Sequence, residues 1–125
     1  ENLPAILGLV EAVRIALEEP AYDQMRALRQ KLEAPFQING TGPRVSNTAN
    51  LYFPDVDGEG LLMNLDLAGI AASHGSACSS GSLEPSRVLL AMGYSRARAA
   101  SSLRYSLSRF TTEAEIDHTL ATLEG

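Results

Sequence analysis

The chain has 125 residues, 45% of them hydrophobic and 20% charged, which is enough apolar material for the core of one domain spanning residues 1–125. A net charge of −5 supplies no electrostatic footprint for nucleic acid. No apolar run approaches the roughly 18 residues a membrane span needs, and no signal segment opens the chain, so neither a membrane nor a secretory route is expected.

The single cysteine, Cys78, excludes an intramolecular disulfide and suits a reducing compartment, so a cytoplasmic location is expected. The chain opens without Met, at Glu1-Asn2-Leu3-Pro4, and reads as a fragment or processed piece.

Leu3, Ile6, Leu7, Val10, Val13 and Leu17 recur at helical spacing, and Glu18-Glu19-Pro20 ends that helix. A second helix carries Tyr22, Met25, Leu28 and Leu32 on one face and stops at Pro35. Phe36-Gln37-Ile38 suits a short strand, and Asn39-Gly40-Thr41-Gly42-Pro43 is turn chemistry. Ala49, Leu51 and Phe53 alternate with Asn50 and Tyr52, the period of a strand. Asp57-Gly58-Glu59-Gly60 leads into a helix with Leu61, Leu62, Leu65 and Ala68. Ile70-Ala71-Ala72 is predicted to be a short buried strand.

Glu84-Pro85-Ser86 opens a further helix, with Pro85 in its first turn, Val88, Leu89 and Met92 on its buried face and Gly93 at its end. Leu103, Tyr105 and Leu107 alternate with Ser102, Arg104 and Ser106, a half-buried strand. Thr112 and Glu115 form a capping-box signature for the last helix, whose core stripe is Ile116, Leu120 and Leu123. The order predicts an α/β fold, a small mixed or antiparallel sheet covered by helices.

Between these elements lies Gly75-Ser76-Ala77-Cys78-Ser79-Ser80-Gly81-Ser82, where every residue except the cysteine is Gly, Ser or Ala. Most lone cysteines are small buried hydrophobes. Here no large apolar side chain lies within four positions, and a loop of small residues suits a thiol that must be accessible and visit two places. His74 stands four residues earlier and suits an auxiliary proton-transfer role, although a solvent-exposed loop histidine is the simpler reading. Arg104 shares its strand face with Ser102 and Ser106; its guanidinium suits a carboxylate, although by spacing alone a surface ion pair is the simpler reading. Asn47 and Asn50 flank the mouth of a strand, where amides orient ligands or cap the chain. One Cys with the distant His74 and His118 makes no zinc site, so no metal is expected.

Two stretches together resemble the cysteine desulfurase family. Ser73-His74-Gly75-Ser76-Ala77-Cys78-Ser79-Ser80-Gly81-Ser82-Leu83-Glu84-Pro85-Ser86 is similar to the persulfide loop of the long-loop class, and Ser102-Leu103-Arg104-Tyr105-Ser106-Leu107-Ser108-Arg109-Phe110-Thr111-Thr112-Glu113 to the family's substrate-arginine strand. Arg44 to Phe53 and Gly58 to Leu65 resemble its connecting segments. The resemblance implies the C-terminal small domain of a fold-type I pyridoxal-phosphate enzyme, with 1–19 as a connecting helix and 73–85 as a mobile cysteine loop.

It further implies conversion of L-cysteine to L-alanine. Cys78 would be the nucleophile and persulfide carrier, Arg104 would bind the substrate carboxylate, and Asn50 would line the substrate site. The sulfur would pass to an iron–sulfur scaffold or a thiolation partner, and the enzyme would be a homodimer. In that family a large N-terminal domain supplies the Schiff-base lysine. The only lysine here is Lys31, read as a solvated helix residue, so no cofactor-binding residue is expected in this chain and the piece alone is expected to be inactive. A stand-alone persulfide carrier or docking domain, or a selenocysteine lyase, are the alternatives.

Overall fold

The computed structural model describes residues 1–75 and 84–125. Six helices and three strands are described: α1 (Leu3–Glu18), α2 (Tyr22–Glu33), β1 (Gln37–Ile38), β2 (Thr48–Tyr52), α3 (Gly58–Leu67), α4 (Arg87–Ala91), α5 (Arg96–Ala100), β3 (Ser102–Ser106) and α6 (Glu113–Glu124). The strands form one antiparallel sheet in the order β1-β2-β3.

Alternation decides the two faces of that sheet. Leu51 of β2 pairs with Leu103 of β3, and both are fully buried. With Ala49 and Tyr105 they form the inner face, joined by Leu28 and Leu32 of α2, Leu65 of α3 and Ile116 of α6. Burying a leucine fully contributes about 2 kcal/mol, so these few side chains dominate the domain's cohesion. The other face carries Thr48, Asn50, Tyr52, Arg104 and Ser106, none of them buried. Among the described residues, helices thus cover one face and leave most of the polar face open. Ser102 shares that open face but is buried, because α5 leans over this end.

Helix starts follow their caps. The side chains of Asp57, Ser86 and Ser95 each accept from backbone N–H groups at the starts of α3, α4 and α5. The capping box of Thr112 and Glu115 is formed at α6. The segment before β2 is pinned to α2 by charge. Arg44 grips Glu33 with two hydrogen bonds of 2.6 and 3.0 Å, and the buried Arg29 donates to Val45 O. Glu33, by hydrogen bonding first, holds the Arg44 guanidinium above its ordinary pKa.

Four expectations are corrected. Ile70-Ala71-Ala72 forms no strand, because Ile70 N–H is consumed by the end of α3. It donates to Leu65 O at 2.8 Å while Gly69, at φ +77°, donates to Asp66 O, a Schellman closure. Among the described residues after α3, the chain first meets the sheet at Ser73. Pro85 precedes the Ser86 cap rather than entering the first turn of α4. That helix has five residues and buries only Leu89; Val88 and Met92 are 68% and 51% exposed. Helix α5 is an element the sequence does not predict, because Arg96-Ala97-Arg98-Ala99-Ala100 has no apolar period. In α1 the periodic stripe is real but uncovered: Leu3, Ile6, Leu7, Val10, Val13 and Leu17 are all exposed among the described residues.

The Tyr105 hydroxyl is buried without a hydrogen-bond partner among the described residues, and burial raises its pKa well above 10.0. A phenol kept neutral in the folded state favours unfolding once the unfolded chain ionises, so stability falls as pH rises above about 10. Tyr105→Phe is expected to stabilise the protein by about 1 kcal/mol, since an unsatisfied hydroxyl is removed from the core. It should also flatten the loss of stability above about pH 10. Urea unfolding on both sides of that pH checks both points. Equal or lower stability of the variant would mean that the hydroxyl has a partner in the complete protein.

Candidate active site

The open face of the sheet aligns four residues in one row. Asn50 pairs with Arg104 across β2 and β3. On the far side of β2, Asn39 N donates to Asn50 O at 2.9 Å. On the far side of β3, Ser73 forms a two-bond bridge with Arg104, with Arg104 N donating to Ser73 O at 2.7 Å and Ser73 N to Arg104 O at 2.9 Å. Paired residues on one face place their Cβ atoms about 5 Å apart, so the row is continuous.

The Arg104 side chain is exposed, and no described residue accepts from its guanidinium. Asn50 is held by its oxygen: Oδ1 accepts from Asn39 Nδ2 at 2.8 Å. Its Nδ2 donates to no described residue. Asn50 lines a cleft of about 510 Å³ with Asn39, Thr41, Arg44, Thr48 and Met92. The row therefore offers a cation and an amide donor side by side, a pair suited to a carboxylate. Asn47 does not join it; its backbone O accepts from Leu107 N at 2.7 Å, and its Oδ1 from Thr48 Oγ1 at 3.2 Å.

Cys78 lies outside the described residues. The point from which its segment departs is described. Ser73 is bonded to Arg104, and Ser73 Oγ accepts from Gly75 N at 3.1 Å. His74 is not the exposed loop residue expected; its ring is only 9% exposed and its Nε2 lies 2.9 Å from Ala100 O. A carbonyl only accepts, so Nε2 carries the proton. The ring packs on Gly58, where a Cβ would stand 2.3 Å from Ala100 O and 3.0 Å from His74 Nε2. Gly58→Ala is expected to destabilise the protein by about 1–3 kcal/mol by overpacking this contact. Chemical denaturation measures it, and a change under about 0.5 kcal/mol would mean the backbone at Ala100 yields freely.

Lys31 bridges α2 and α6, with Nζ 2.6 Å from Asp117 and 2.7 Å from Glu113. These partners, Asp117 first, raise its pKa above 10.5. A lysine that forms an imine must instead be neutral, with a lowered pKa. The residues of this chain therefore do not fit a covalent pyridoxal-phosphate anchor. His118 Nε2 lies 3.1 Å from Ala68 O, which ties α6 to the end of α3. Among the described residues, no three His, Cys, Asp or Glu side chains gather as a metal site, and no helix is long and apolar enough to cross a membrane.

A model of the class-V aminotransferases matches residues 2–119. This chain belongs to that family. Among named class-V relatives, the cysteine desulfurase NifS of Azotobacter vinelandii is 45% identical over 96% of this chain and 32% of its own length. A cysteine desulfurase of Klebsiella pneumoniae is 43% identical over 98% of this chain and 33% of its own length. A solved NifS-like protein superposes with a TM-score of 0.85 at 32% identity, over 99% of this chain and 33% of that one. The chain thus spans about a third of the length of the class-V relatives it matches. The helix-backed antiparallel sheet superposes on the matching third of that NifS-like protein.

Sequence reasoning missed three contributors to the row. In the sequence Asn39 is turn chemistry alone, Ser73 is only the start of a loop, and Arg98 of α5 carries no signal. Arg98 donates to Asn39 Oδ1 at 2.6 Å across 59 positions. No local pattern signals a contact of that separation.

Proposed function

We propose that this chain is the C-terminal small domain of a pyridoxal-phosphate-dependent cysteine desulfurase, with Cys78 as nucleophile and persulfide carrier. The observation that carries the reading is the row of Asn50, Arg104 and Ser73, because it sets a carboxylate-binding pair beside the root of the cysteine segment. The similarity to proteins named cysteine desulfurases supplies the reaction class.

Arg104 and the Asn50 amide bind the carboxylate of L-cysteine and orient its thiol. Cys78 follows Ser73 by five positions, a reach of at most about 18 Å, so the thiol is tethered within range of a molecule held at Arg104. The Cys78 thiolate attacks the substrate sulfur. An S–S bond forms as the substrate C–S bond breaks, the electron pair leaves with the carbon, and that carbon takes a proton to become the methyl group of L-alanine. The products are alanine and a persulfide on Cys78.

The cofactor that makes such a carbon leaving group accessible is held by residues outside this chain, consistent with the ion-paired state of Lys31. The uncovered apolar stripe of α1 suits a connecting helix over residues 1–19 that packs on the remainder of the protein. His74, with its ring fixed to Ala100, anchors the near end of the cysteine loop over 73–85. A homodimer in the cytoplasm, delivering sulfur to an iron–sulfur scaffold or thiolation partner, completes the proposal.

The test is to incubate the complete protein with L-cysteine, measure alanine, and weigh the Cys78 peptide. Alanine release together with one added sulfur atom on Cys78 supports the reading. Alanine release with Cys78 unmodified would reject Cys78 as carrier. No alanine, with sulfur accepted on Cys78 only from another desulfurase, would make the chain a carrier domain.

A further inference from the structure

The hydrogen bonds around Asn50 run in one direction only, and the direction is set by Arg98. A guanidinium N–H can donate and never accept. Arg98 Nε meets Asn39 at 2.6 Å, so that contact atom of Asn39 must be the oxygen. The Asn39 NH2 group then faces Asn50 and Ser102, each at 2.8 Å. Ser102 Oγ donates to Arg98 O at 2.7 Å and is therefore free to accept from Asn39. An NH2 group cannot accept, so Asn50 must present its oxygen to Asn39. Its own NH2 is turned away from Asn39 and left without a described partner.

The start of this chain is rigid. The Arg98 guanidinium is stacked between Tyr52 and Tyr94, 4.5 and 4.6 Å from the ring centres, and a second nitrogen donates to Ile38 O at 3.1 Å. Tyr94 in turn accepts from Gly40 N at 2.8 Å, beside Asn39. Asn39 itself is only 4% exposed, so its amide cannot turn over against solvent.

We propose that Arg98 and Asn39 are positioning residues that fix the polarity of Asn50, so that its NH2 rather than its oxygen meets the carboxylate of the substrate. The inference rests on the assignment of Asn50 and Arg104 to the carboxylate. Without the relay an asparagine amide can present either end. With the wrong end outward, a carbonyl oxygen would face the carboxylate beside Arg104 and cancel part of its attraction.

Asn39→Asp tests the relay in the complete holoenzyme. The carboxylate still accepts from Arg98 but cannot donate to Asn50, so the Asn50 amide turns over. The KM for L-cysteine is expected to rise about tenfold with kcat within about twofold, as a donor to a charged group becomes a repelling acceptor. Cysteamine, which has the same thiol and amine but no carboxylate, should bind with unchanged affinity in a spectroscopic titration of the holoenzyme. If the variant does not fold, Arg98→Gln replaces it. Its amide can offer either end to Asn39, and the KM should rise about threefold with cysteamine again unaffected.

Arg104→Ala is the control that separates the two readings. If it raises the KM while Asn39→Asp leaves it within about twofold, the relay is wrong and the carboxylate site stands. If it leaves the KM unchanged, the carboxylate assignment is wrong and the relay loses its purpose. Equal weakening of L-cysteine and cysteamine by Asn39→Asp would make Asn39 a merely structural residue and overturn the inference.

Discussion

Replacing Cys78 with serine in the complete protein is expected to lower alanine release from L-cysteine by at least about a thousandfold while the cofactor spectrum is unchanged. A serine hydroxyl is a far weaker nucleophile toward sulfur than a thiolate and cannot hold a persulfide. Serine differs from cysteine by one side-chain atom of similar size, and no large apolar residue stands within four positions of Cys78 in the sequence. The loss should therefore appear in turnover and not in stability. Steady-state alanine assays with a parallel absorbance spectrum decide it. Turnover at the parent rate would remove Cys78 from the mechanism.

The second large effect is at Arg104. Arg104→Ala is expected to raise the KM for L-cysteine about a hundredfold, close to 3 kcal/mol of lost carboxylate binding. The backbone of Arg104 keeps its bonds to Ser73, so the strand and the root of the cysteine segment should survive the change. Arg104→Lys should recover only part of the loss, because an ammonium is a point charge and lacks the planar fork that matches a carboxylate. Unchanged KM and kcat in the alanine variant would reject the assignment. A fall in kcat with KM unchanged would place Arg104 in the chemical step instead.

The local elements of the site were legible for local reasons. Strand β3 could be read because Leu103, Tyr105 and Leu107 alternate with polar residues, and that period alone turns Arg104 to the open face. The last helix could be read from Thr112 and Glu115, whose capping chemistry spans three residues. Cys78 stood out by composition. The failures were also local in origin. A five-residue helix such as α5 is shorter than two turns and shows no period, and the α3 closure at Ile70 removes an N–H that the sequence alone leaves free for a strand.

His74 and Lys31 show the limit most clearly. As residue types in their segments they read as exposed side chains. The fold gives each a distant partner: Ala100 for His74, and Glu113 with Asp117 for Lys31. Those partners turn one into an anchor of the loop root and exclude the other from imine chemistry.

By itself, then, the sequence determined the periods of the longer helices and of β2 and β3, the capping box of α6, the exposed direction of Arg104 and the small-residue composition around Cys78, because each depends on neighbours a few positions away. Only the tertiary structure decided that Asn39, Asn50, Arg104 and Ser73 share one row, and that Arg98 sets the sense of its hydrogen bonds. Strand register and hydrogen-bond polarity are properties of groups brought together across tens of residues. They exist only once the chain has paid the entropy of closing those loops.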